Sequence, residues 1–113
     1  MASRDKSQYH WTNYYGNYKG EKIKGEDFLN IITRNNLPSE EIDKLVNDFV
    51  GDCKHINMKN PFFTPKRFAL LRKQDIYNSI KEKDKTFISD GFIMVKSQVK
   101  VLWEEYNKVK DRN

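Results

Sequence analysis

The feature that most constrains this chain is a run of apolar residues at Ile42, Leu45, Val46, Phe49 and Val50, spaced i, i+3, i+4, i+7 and i+8. That spacing makes one stripe on an α-helix and falls on both faces of a strand. Its flanks agree. Ser39 follows Pro38 and is placed to cap the helix, Glu40 and Glu41 complement the dipole of its first turn, and Gly51 is placed to end it. A helix this short is stabilised by covering its apolar face, so other segments must pack on it.

Three further segments have the same character. Phe28, Leu29, Ile31 and Ile32 predict a short helix over about 26–34, stopped by Asn35, Asn36 and Pro38. Thr64 as cap and Pro65 at the first helical position open a helix that runs to about residue 83, with Ala69, Leu70, Ile76, Tyr77 and Ile80 inward. Val95, Val99, Leu102, Trp103, Tyr106 and Val109 keep helical spacing, which favours a helix over about 90–110. Asp90-Gly91 between two apolar runs also fits the turn of a short β-hairpin near 86–95, and apolar runs this short do not separate the two readings. The expected fold is all-α, a small bundle of about four helices. Its core is expected to include Phe28, Ile32, Leu45, Phe49, Ile76, Val99, Leu102 and Trp103.

Residues 1–25 read differently. Tyr9, Trp11, Tyr14, Tyr15 and Tyr18 lie within ten residues with no helical period, and Gly16, Gly20 and Gly25 punctuate them. This is expected to be an irregular aromatic and basic arm before a single helical domain at 26–113. Tyr and Trp in such an arm suit a protein partner, stacking on unpaired bases, or packing along the chain's own domain.

With 113 residues, one domain is expected. Apolar residues are 37% and charged residues 33%, which leaves much of the chain for surface. The longest uncharged apolar run is 91–95, far too short to cross a bilayer, and residues 1–6 resemble no secretory signal. Cys53 is the single cysteine, which fits a reducing, cytoplasmic setting; no membrane association is expected. Cys53, His55 and His10 fall short of a structural zinc set, so no metal is expected, and no cofactor motif occurs. The paired acids Glu40-Glu41 and Glu104-Glu105 diverge on a helix, and no nucleotide-cradling or nucleophile motif is present. A non-enzymatic binding protein is the expectation.

The net charge of +5 is unevenly spread: residues 26–53 sum to −5 and residues 54–85 to +6. The basic third helix is the candidate nucleic-acid contact, through Lys66, Arg67, Arg72, Lys73, Gln74, Asn78 and Lys81. Of these, Arg67, Gln74, Asn78 and Lys81 share a stripe away from the apolar face. An ordinary wet helix surface has the same residue types. A helix-turn-helix across 35–38 is disfavoured, because its second helix would be the acidic one and phosphates would repel it. The rival partner is an acidic protein surface, with the chain as a viral or phage accessory protein, and self-association through opposite charges is a variant of that reading.

Overall fold

The computed structural model describes residues 10–51 and 60–111, with side chains through residue 110. Four helices make up most of it: α1 Gly25–Arg34, α2 Ser39–Val50, α3 Pro65–Lys83 and α4 Asp90–Asp111. A 3-10 turn at Trp11–Asn13 and an antiparallel hairpin, β1 Tyr15–Tyr18 and β2 Glu21–Lys24, precede them. One core joins all four helices to Trp11. Phe28 and Phe49 stack at its centre, 4.3 Å between ring centroids.

The start of the chain is therefore ordered. Tyr18 pairs with Glu21 across the two-residue turn Lys19-Gly20, both with positive φ, as the right-handed twist of a hairpin demands. Gly16 lies so close to α2 that a Cβ there would sit 2.5 Å from the Phe49 carbonyl oxygen and 2.6 Å from its ring. Its missing side chain is what seats β1 on α2. Trp11 is only 2% exposed, and its indole N–H donates to Ser79 Oγ at 2.9 Å. This removes Trp11 from any surface role, and Tyr18, half-buried edge-on against Phe28, is largely removed too.

Helix ends follow local chemistry. Thr64 Oγ1 accepts from the Arg67 N–H, the cap expected of it. At α2, Pro38 occupies the cap position and Ser39 is already helical, so no side chain caps that end. Gly51 ends α2 with φ 63°.

Residues 90–111 form a helix, and the only hairpin among the described residues is the N-terminal one. Ser89 decides the matter. Its hydroxyl accepts from the Phe92 N–H and donates to Asp43 Oδ1 at 2.7 Å, which caps α4 and pins it to α2. Asp43 Oδ1 also accepts from the Tyr77 hydroxyl at 2.7 Å, and Oδ2 from the Gly91 N–H at 3.1 Å. Asp90-Gly91 is thus the first turn of a helix.

Seven of the eight expected core residues are buried. Trp103 is not; it is 41% exposed. Val99 and Leu102 already fill the inward face of α4, and about 100° per residue turns Trp103 to its flank.

Two changes test this junction. Gly91→Ala should destabilise by about 1–3 kcal/mol in urea unfolding, although Ala usually favours a helix, because its Cβ would meet Asp43 Oδ1 and the Tyr77 hydroxyl at 2.6 Å. Asp43→Ala should cost about 3 kcal/mol, since it removes the α4 clamp and strands the Tyr77 and Ser89 hydroxyls. A stabilised Gly91→Ala variant would contradict the packing described.

Burial, and then the Asp43 carboxylate, hold the Tyr77 phenol well above its ordinary pKa of 10.0. The unfolded chain releases that proton first, so stability is retained below pH 10 and falls as pH rises beyond it. The Tyr77 contribution should approach about 1.4 kcal/mol per pH unit. Unfolding of Tyr77→Phe, followed against pH, should lack that part of the decline.

Candidate nucleic-acid interface

The residues singled out on α3 divide into those that hold the fold together and those that face solvent. Arg67 belongs to the first group. Its guanidinium donates to the Phe62 carbonyl at 2.9 Å, lies 4.3 Å over the Phe62 ring and approaches Glu105 at 3.8 Å. Arg72 lies over Tyr14 and Phe68, 4.8 and 5.2 Å from the ring centroids. Lys81 donates to the Phe87 carbonyl at 3.0 Å and closes the α3–α4 connection. Lys66 and Asn78 are exposed, and Lys73 and Gln74 are half-buried. The expected stripe is thus not presented as one uninterrupted reading face.

The aromatic candidates also part company. Tyr14 is 38% exposed beneath Arg72, and Tyr15 is 64% exposed. Trp11 belongs to the core. Tyr9 lies outside the described residues, as do Cys53 and His55.

Gln74 contributes to something the sequence did not reveal. It lines an open groove of about 780 Å³ with Ile93, Lys96, Ser97, Val99, Lys100 and Trp103 of α4. The groove lies where the middle of α3, at Gln74, borders one flank of α4. Its lining carries two lysines and no carboxylate. Lys96 and Lys100 are one turn apart, so both ammonium groups project along the same flank.

Trp103, in the groove lining, packs against an aromatic cluster. Phe63 and Tyr106 each meet its indole at 5.7 Å, both edge-on. Phe62 in turn packs on Phe63 and Tyr106, each at 5.3 Å, with Arg67 fixed on its other side. Phe62-Phe63 is an adjacent apolar pair just ahead of the Thr64 cap. Its partners on α4, Trp103 and Tyr106, were marked only as part of that helix's apolar stripe.

No buried side-chain nitrogen or oxygen among the described residues lacks a hydrogen-bond partner. No group of three or more His, Cys, Asp and Glu side chains among them is placed to hold a metal ion. The Asp43–Tyr77–Ser89 cluster brings two hydroxyls to one carboxylate, and those bonds go to capping and fastening α4. Among the described residues, no helix is long and apolar enough to cross a membrane. Comparison with protein-family models, curated proteins and solved structures finds no match.

The two tryptophans should be separable in solution. Iodide should quench the Trp103 emission and leave a blue-shifted component from Trp11, and Trp103→Phe should abolish the quenchable part. Equal quenching of both would contradict the burial of Trp11.

Proposed function

We propose that this chain is a non-enzymatic binding protein of the cell interior whose ligand is a nucleic acid, contacted by cations and polar groups of α3 and α4. The observation that carries the reading is the groove, where Lys96, Lys100 and Gln74 surround an exposed indole with no carboxylate in the lining. Lys66, Lys73 and Asn78 extend the polar and cationic character along α3. The +5 net charge favours approach to a polyanion.

Phosphate contacts release counterions, so the affinity for labelled duplex and single-stranded probes should fall steeply with salt. The log–log slope should be about −0.9 per phosphate neutralised on B-form DNA and about −0.7 on a single strand. Fluorescence anisotropy at two salt concentrations measures it. Absence of binding at low salt would end this reading.

A protein partner is the second reading, favoured by Tyr15, the most exposed of the described tyrosines. If Tyr15 anchors such a partner, Tyr15→Ala should weaken the complex by about 1–2 kcal/mol with little salt dependence.

A further inference from the structure

We infer that the α3–α4 groove is a single-strand site, in which an unpaired base stacks on Trp103 and flanking phosphates meet Lys96 and Lys100. The inference rests on the nucleic-acid reading above and gives it a strand class and a place.

The indole is the first argument. It is 41% exposed on a helix whose inward positions are closely packed, and its exposed face borders the groove. Phe63 and Tyr106 brace it edge-on, while Arg67 fastens Phe62 behind them. A ring held in place loses little freedom when a second ring stacks on it, so less binding energy goes into ordering. Each base has a π-face, so such a platform accepts an unpaired base of any identity.

Charge supplies the second argument. Lys96 and Lys100 stand on the same flank as Trp103, and among the described residues no hydrogen bond or ion pair to another side chain engages either one. Their spacing of one helical turn, about 6 Å along the axis, suits the backbone of an extended strand. Gln74 faces them across the groove, with an amide that both donates and accepts toward a base edge.

The third argument separates single from double strands. In a duplex both faces of a base are covered by its neighbours, so Trp103 would have nothing to stack on. A duplex would be read through the major groove by the free face of a helix. On α3, Arg67 and Lys81 of the expected stripe are tied to the chain's own carbonyls, and α4 shares the groove with Gln74.

The test uses the full chain with a twelve-nucleotide oligo-dT, a duplex of the same length, and poly-glutamate as a polyanion without bases. Oligo-dT should quench Trp103 and bind more tightly than the duplex, while poly-glutamate should leave the emission unchanged. Trp103→Ala should weaken oligo-dT binding about tenfold or more with the salt slope retained, and Trp103→Phe should restore most of it. Replacing Lys96 and Lys100 together by Ala should reduce the slope by about 1.4. Unchanged Trp11 emission and circular dichroism would show that the variants fold. If Trp103→Ala binds oligo-dT as well as the parent, or the duplex binds more tightly, the single-strand site is overturned while the nucleic-acid reading stands. If poly-glutamate quenches Trp103 as oligo-dT does, the groove is a charge site only and the inference is overturned. Loss of binding to both nucleic-acid probes in the parent protein would remove the inference together with the reading it rests on.

Discussion

A single carboxylate ties three helices together. Asp43 on α2 accepts the Tyr77 hydroxyl from α3, and the Ser89 hydroxyl and Gly91 N–H from the start of α4. A negative charge at a helix N-terminus is favourable, and here it also satisfies an N–H that α4 cannot pair internally. Tyr77, Phe87 and Phe92 stack around it, so the polar clamp sits against an aromatic wall. The position of the α4 N-terminus fixes the line of the whole helix. That line determines which flank of α4 runs beside α3, and hence where Lys96, Lys100 and Trp103 face.

The cations of α3 and α4 have been put to different uses. Arg67 and Arg72 are planar groups that lie over rings, and both are spent on organising aromatic side chains. Guanidinium groups suit such positions because they stack and form several hydrogen bonds in one plane. Lys96 and Lys100 remain as hydrated point charges beside the groove. Basic character on α3 therefore does not translate directly into contact surface. Arg67 acts one layer behind it, by fastening Phe62, which packs against the Phe63 and Tyr106 rings that meet Trp103.

Much of the fold was legible because it rests on local signals. The stripe at Ile42, Leu45, Val46 and Phe49 and the Thr64-Pro65 start appear as helices where the spacing placed them. The hairpin was missed because Lys19-Gly20 lacks the familiar Asn-Gly or Asp-Gly signature, and because Gly16 looked like a breaker. Its reason for being Gly is a close approach to Phe49 that only the tertiary structure contains. At Asp90-Gly91 a local turn signal competed with the helical spacing, and the favoured helix formed, held by the Ser89 cap and by the clamp from Asp43, 46 and 48 positions away. Trp11, one of the arm's aromatics, is in the core, and Trp103, assigned to the core, is not. Of the proposed groove, only Gln74 had been marked as a contact residue, while Val99 and Trp103 had been assigned to the core, because its other walls come from a different helix. Periodicity shows which face of α4 is apolar and says nothing of which neighbour borders its flank.

The central claim is that the α3–α4 groove is the nucleic-acid surface and that the Trp11 side of the molecule is scaffold. Amide and indole chemical shifts, recorded while oligo-dT is added to the full chain, test it most directly. The account predicts that the Trp103 indole N–H and the amides of Gln74, Lys96, Ser97 and Lys100 shift together and saturate together. The Trp11 indole N–H, bonded to Ser79, should stay where it is. Shifts concentrated around Tyr14, Tyr15 and Arg72, with the groove unmoved, would contradict it.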